Sequence, residues 1–539
     1  MKKTSLLVSL LLAGMTITIA GCNSGGPSAK NLKQINPYEY ETTYRGMRIN
    51  GSGYTAEQYT EHKNESGQRK FVIEDVKALV IPVDFTDCLG SDLPLGEEGT
   101  KQELEKMMFG SNDELEWYSL AGYYASSSFG QCKISGTVGD WYHVDSTIAE
   151  YANKNGTSGA QLIAIEIQDL YRSEYSMAKM LDDEEKMAKY DLTQYDANKD
   201  GFIDSLILIY SAPIHTTGEL QWAFCWNVPG AYGRYNPELE GVNRFFWASY
   251  WFFYDGYLNH KTKYPTIPDD LPQKIIDGEV EPDVHTMTHE YGHVLGLPDY
   301  YITDYSGTDF DGLGYLDMMD YNIGDHNAAS KAWYGWVNPY YATGSVKATI
   351  RSTTTTGDCI ILPIGGQYNN TLMDQYLMIE FLTPEGVAKY DGEHQFNGSY
   401  PLYFNKAGIR VIHVDARLGV FTYNQSKSQW QFTGFTSSTS APGDRSYVGT
   451  ACDNTASDSC FPDYKLLEFL PRDGVSIKTH KQASGDLLFQ EGDVFGSNGI
   501  YENYMMHDKA GGKTVPLGFK FEITKINGYE SAEINITKI

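Results

Sequence analysis

The sequence predicts an α+β protein in two globular units: a mixed-sheet domain built around one functional helix, then an all-β, sandwich-like domain. Three observations carry this prediction. Near-continuous apolar runs at Val76–Phe85 and Ser205–Tyr210 have the composition of strands buried on both faces, and segments of helical apolar spacing lie between them. The segment His289-Glu290-Tyr291-Gly292-His293 sets its two imidazoles four residues apart, the spacing of one helix face. Beyond Pro339 the pattern changes to short β-like runs between Gly, Asn and Asp clusters. At 539 residues the chain also exceeds what one hydrophobic core usually serves.

Taken in order, Lys2 and Lys3 precede an apolar run from Leu6 to Ala20, too short to span a bilayer comfortably, so residues 1–22 read as an export signal. The run ends in Ile19-Ala20-Gly21-Cys22, which resembles the bacterial lipobox, and Cys22 is therefore expected to carry a lipid. Residues 23–75 are largely polar and read as a tether or short pro-segment. The first core strand, from Val76, is expected to end near Pro82 or just beyond it, because proline withholds a ladder donor. Gln102–Met108 and Trp117–Ser127 have helical character, and Cys132–Val138 alternates like a half-buried strand. Gln161–Leu170 reads as a helix with Ile163, Ile167 and Leu170 on one face. The first unit is placed at 76–340 and the β-rich unit at 341–539, with strands at Tyr376–Phe381, Gly408–Val414 and Phe519–Ile523.

Composition narrows the function. With 41% hydrophobic and 14% aromatic residues the chain is globular, and a net charge of -28 with no basic stripe argues against nucleic acid as a partner. The six cysteines after Cys22 (Cys88, Cys132, Cys225, Cys359, Cys452 and Cys460) show no C-x-x-C pair, so neither a thiolate zinc site nor a redox motif is indicated. Export permits disulfides, and Cys452 with Cys460 can close a small loop, but free buried thiols fit the others equally well.

His289 and His293 can present two imidazoles to one metal with Glu290 beside it. Such a metal polarises a peptide carbonyl and acidifies water, while the adjacent carboxylate takes up the proton and passes it to the leaving amine. Gly296 suits a positive-φ exit from the helix, Pro298 confirms that the helix has ended, and Asp299 can then return an oxygen ligand. Extending the motif to Gly296 and Asp299 lowers the expected number of accidental matches to roughly 0.0005. No Glu occurs between Glu290 and Glu380, which favours this compact arrangement over a distant third ligand. His285 and His326 stand as minor substitutes.

The stretch from His289 to Asp299, H-E-x-x-H-x-x-G-x-x-D, resembles metzincin-type peptidases and looks like the immune inhibitor A family. The strand ending Val83-Asp84-Phe85, the Tyr123–Gly130 stretch and Asp317-Met318-Met319-Asp320-Tyr321 with Gly335-Trp336-Val337 agree with it. The resemblance implies a metzincin-like catalytic domain, zinc as cofactor, protein or peptide substrates, a methionine turn at Met319 or Met318, and a Tyr321 that helps stabilise the oxyanion. Gly408–Asp415 looks like a segment that follows the catalytic domain in this family, and its His413 and Asp415 lack a third partner for a second metal.

A second motif is calcium-like. Asp196, Asn198, Asp200, the backbone of Phe202 and Asp204 alternate as oxygen donors around Gly201 in an EF-hand-type loop, although Ile207 stands where the closing carboxylate belongs. The sequence thus reads as an extracellular, surface-anchored zinc endopeptidase with calcium as an added cofactor. The rival reading is a catalytically inactive surface lipoprotein that binds glycans or host proteins through its β-rich domain; retention of Glu290 weighs against it.

Overall fold

The computed structural model describes residues 30–38, 59–111, 115, 117–152, 159–214, 222–228, 240–261, 265–301, 312–396, 400–427, 429–438, 442–443, 445–452, 454, 465–475, 485–507 and 513–539. Residues 1–22, with Cys22, and Cys460 lie outside them.

Six strands make the first sheet. Lys133–Val138, Asp75–Phe85, Ser205–Tyr210, Arg244–Ser249 and Phe224–Asn227 lie side by side in that order, and Tyr142–Val144 also pairs with Asp75–Phe85. All neighbours are parallel except the edge pair Phe224–Asn227 with Arg244–Ser249, which is antiparallel. Alternate residues of the central strands face opposite layers. Leu79, Ile81, Leu206 and Leu208 pack with Ile163 and Ile167 of the helix Gly159–Leu181. Ala78, Val80, Ile207 and Ile209 share the opposite core with Met287 and Tyr291 of the helix His285–Val294. A helix on each face explains why these strands read as unbroken apolar runs.

The long strand ends at Phe85, just beyond Pro82. Pairing with Lys133–Val138 ends at Val80 and pairing with Tyr142–Val144 begins at Val83, so Pro82 falls in the break between two neighbours. Its missing donor therefore costs no ladder bond on that side. The helix expected from Trp117 begins at Leu120, because the Ser119 side chain accepts from Gly122 N and caps it. Leu170 is 40% exposed, and Tyr171, two turns on from Ile163, faces the sheet in its place.

The stretch expected to be tether contributes strands. Leu32–Gln34 pairs antiparallel with Tyr340–Ala342, and Tyr59–Lys63 forms a hairpin with Arg69–Ile73. Tyr59 Oη donates to Trp333 O, and Trp336 Nε1 donates to Ile73 O, which docks the hairpin on the first unit. Polar composition concealed these pairings, since edge strands bury one face only.

The β-rich half is a sandwich of a six-stranded and a four-stranded sheet. The larger holds Leu32–Gln34, Tyr340–Ala342, Cys359–Pro363, Gln375–Leu382, Gly408–Asp415 and Leu467–Phe469; the smaller holds Val346–Arg351, Ser531–Lys538, Phe519–Asn527 and Val494–Phe495. Leu377, Ile379 and Val411 face the smaller sheet's Phe521, Ile534 and Ile536. Met378, Ile412 and Val414 face the other way and share one core with the active-site helix. The short helix Ala388–Glu393 departs from the all-β expectation and lies against the first unit through Asp391. Among the described residues no helix is long and apolar enough to cross a membrane.

Candidate metal centre

The helix His285–Val294 supplies the site, buried along nearly its whole length. Asp283 accepts from His285 N at its start, and Arg244 Nη1 donates to His293 O and Val294 O at its end, where a cation suits the helix dipole. Tyr124 Oη donates to Thr288 O, and Tyr334 Oη to Gly292 O. Gly296 adopts φ +101° and donates to His293 O, turning the chain back so that Asp299 faces the helix.

Three ligand atoms converge. Asp299 Oδ1 lies 3.0 Å from His289 Nε2 and 3.1 Å from His293 Nε2. Each imidazole spends its other nitrogen on a backbone carbonyl: His289 Nδ1 donates to Met318 O at 2.8 Å and His293 Nδ1 to Leu297 O at 2.7 Å. This fixes both rings with Nε2 toward a common point, the arrangement of metal-ligating histidines. Glu290 is 7% exposed, its Oε2 has no hydrogen-bond partner, and burial pushes its carboxyl above the usual carboxylate range. The set of two imidazoles, one carboxylate ligand and an unsatisfied buried carboxylate fits zinc with a general base beside it.

Met319 lies beneath the helix. A Cβ on Gly292 would stand 2.2 Å from Met319 Sδ, so only glycine at 292 lets the sulfur approach. Tyr321 packs between Tyr315 and Tyr400, its ring tilted against each at 4.4 and 4.5 Å. His285 is no ligand. Its Nδ1 donates to Asp283 and its Nε2 to Asp391 of the β-rich half, and its ring lies between Trp117 and Phe396 at 3.6 and 4.3 Å. Burial works against its charge, but Asp283 and Asp391 prevail and raise it to about 10. His326 is buried with both ring nitrogens unpartnered, and burial holds it neutral. Asp415 is tied to Arg417 and Gln375, and His413 gains no metal-ligand set.

The sequence reading missed Arg244, Asp391 and Tyr301. The Tyr301 ring lies nearly parallel to that of His289 at 6.5 Å, and its place two residues beyond Asp299 was the only signal. It also missed a surface group, Asp84 with Glu97 and His143, whose last two members are exposed. In the loop at 196–204, Asp196 accepts from Gly201 N, Asn198 and Asp200 accept from Asp200 N and Phe202 N, and Asp204 accepts from Lys77 N of the central strand. Burial pushes Asp204 up to about 7 against the amides of Lys77 and Ala197. These carboxylates are not among the groups of described residues that converge within 4.8 Å.

A buried helix bearing two histidines and a glutamate, closed by an aspartate and set on a mixed sheet, has the make-up of a metallopeptidase centre. The comparisons narrow the class: residues 60–220 and 274–328 match the family model of the immune inhibitor A peptidase M6 catalytic domain. Immune inhibitor A of Bacillus thuringiensis subsp. alesti is 27% identical over 256 residues, covering 43% of this chain and 34% of that protein. The pre-pro-metalloprotease PrtV of Vibrio cholerae serotype O1 is 27% identical over 268 residues, covering 43% of this chain and 26% of that protein. Over this region the chain is similar to the immune inhibitor A-like metallopeptidases, and its match spans about a third or less of each relative's length. The match starts at residue 60, ahead of the expected 76, in keeping with the hairpin at Tyr59–Ile73. It omits 221–273, which carry Arg244 and the antiparallel edge strand.

A histidine whose pKa is raised on folding stabilises fully below its unfolded value of about 6.5 and loses that contribution as pH rises through about 10. Thermal unfolding of His285→Gln is therefore expected to show a smaller decline between these pH values than wild type. Parallel declines would show that His285 is not held charged.

Proposed function

We propose that the protein is a zinc-dependent endopeptidase, exported and held at the bacterial cell surface by a lipid on Cys22, acting on protein or peptide substrates. The observation that carries the reading is the convergence of His289, His293 and Asp299 beside the unpartnered Glu290 oxygen. Zinc, when bound, supplies a Lewis acid that polarises the scissile carbonyl and lowers the pKa of water. His289 and His293 hold it through Nε2 and Asp299 through a carboxylate oxygen. Glu290, buried and raised, takes a proton from the attacking water and delivers it to the leaving amine. Met319 underlies the ligand helix as the methionine turn of a metzincin-like domain, and Tyr321 donates to the developing oxyanion. The catalytic unit is assigned to 76–340, with the hairpin from residue 59 packed on it, and the β-rich unit to 341–539.

The loop of Asp196, Asn198, Asp200, Phe202 and Asp204 is proposed to bind calcium. Its alternating oxygens and the fold of its amides onto Asp196 support this, and it anchors the end of the central strand through Asp204.

The enzymatic reading is checked on denatured protein substrate with the purified ectodomain. Glu290→Ala is expected to retain zinc and lose about 10²- to 10⁴-fold in kcat, and a chelator to abolish wild-type cleavage. Cleavage by wild type no better than by the Ala variant across a broad substrate panel sinks the peptidase proposal. For the calcium loop, added calcium at about 100 times Kd should stabilise wild type by about 2.7 kcal/mol and leave Asp200→Ala nearly unmoved. An equal thermal shift in both proteins rejects the site. Cys22→Ser is expected to move the protein from the membrane fraction to the medium, and unchanged fractionation rules out the lipid anchor.

A further inference from the structure

The metal ligands belong to the first unit, yet the loop beneath them is held by side chains of the β-rich half. Arg410 in strand Gly408–Asp415 and Glu380 in strand Gln375–Leu382 are cross-strand partners, each 1% exposed. The guanidinium donates through Nε and Nη2 to the Glu380 carboxylate, at 2.6 and 3.1 Å. Its Nη1 donates to the carbonyl of Leu316 at 3.0 Å. Glu380 also accepts from Ala328 N at 2.7 Å, at the first residue of the helix Ala328–Trp333. Leu316 and Ala328 are the two ends of the loop that contains Asp317, Met318 and Met319. Asp317 closes that loop from within, accepting from Met319 N and from the backbone and side-chain nitrogens of Asn327. What the loop presents to the centre is the Met318 carbonyl, which receives His289 Nδ1.

A buried ion pair adds little net stability, because desolvation cancels most of its attraction and apolar replacements of similar volume are often as stable. What it does provide is direction, since the rigid guanidinium fork holds a carboxylate and a carbonyl at once. We propose that Arg410 and Glu380 are positioning residues of the metal centre, which fix both ends of the Leu316–Ala328 loop so that the Met318 carbonyl holds His289 with Nε2 toward zinc. The β-rich half is then a structural part of the catalytic centre. This rests on the zinc reading of His289, His293 and Asp299.

The test uses the full mature chain as wild type, as the double variant Arg410→Met with Glu380→Leu, which leaves no lone buried charge, and as Arg410→Lys, which keeps the charge and loses the fork. Zinc affinity is measured by competition with a chelator, ligand geometry by visible absorption of the cobalt(II)-substituted protein, and folding by thermal denaturation. Both variants are expected to bind zinc about 10- to 100-fold more weakly, with a shifted cobalt spectrum and, on a peptide substrate, a lowered kcat at unchanged KM. Wild-type zinc affinity and cobalt spectrum in the folded double variant overturn the proposal. If the double variant does not fold, the same result in Arg410→Lys overturns it. Failure of wild type itself to bind zinc defeats the metal reading and the positioning role with it, whereas tight zinc binding by wild type and both variants alike defeats the positioning role alone.

Discussion

Two hydrogen bonds orient the imidazoles of the candidate metal centre: His289 Nδ1 to the Met318 carbonyl and His293 Nδ1 to the Leu297 carbonyl. An imidazole turns freely about its side-chain bonds unless one nitrogen is engaged, and engaging Nδ1 fixes both the tautomer and the direction of Nε2. Each of the two carbonyls has its own structural requirement. Leu297 O is delivered by the turn at Gly296, whose φ of +101° a side chain would strain. Met318 O is delivered by a loop that packs under the helix because Gly292 has no Cβ.

The rest of the fold keeps those two carbonyls still. The helix is buried between the mixed sheet on one side and the first face of the β-rich sheet on the other, within one continuous apolar core. Its polar ends are satisfied by charged groups: Asp283, two residues before His285, and from distant sequence Asp391 at His285 and Arg244 at the last carbonyls. Charges buried without partners would cost several kcal/mol each, so their pairing is a condition for the helix to be buried at all. The β-rich half buries both faces of its larger sheet, one against its sister sheet and one against the metal-bearing unit. The apolar core thus runs without a gap past residue 340, where the sequence pattern changes.

Legibility varied with the range of the interaction. Helix spacing and the glycine exit are local, so His289, Glu290, His293, Gly296 and Asp299 stood out in the sequence, and in the structure ligand atoms of His289, His293 and Asp299 lie together after the positive-φ turn at Gly296. Strands buried on both faces announce themselves by composition, and Ser205–Tyr210 has the same bounds in both readings. Pairings between remote edges leave no local mark, which is why Leu32–Gln34 and the hairpin at Tyr59–Ile73 looked like tether. The reach of the Gln161–Leu170 helix to Leu181 was hidden because its last turns carry exposed Met180 and Leu181 in place of an apolar stripe. Neither could the sequence show that His285 is occupied by two carboxylates, one of them 106 residues away.

By itself the sequence picked out His289, Glu290, His293 and Asp299 as the candidate centre and marked the buried strands and the change to a β-rich pattern, because each rests on spacing within a turn or a strand. The tertiary structure decided which carbonyls orient the imidazoles, which charges cap the catalytic helix, and that Arg410 and Glu380 stand behind the loop that orients His289. The pairings of Arg244, Asp391, Arg410 and Glu380 join chain segments 50 to 106 residues apart in a buried core, and no pattern of neighbouring residues encodes where such segments meet.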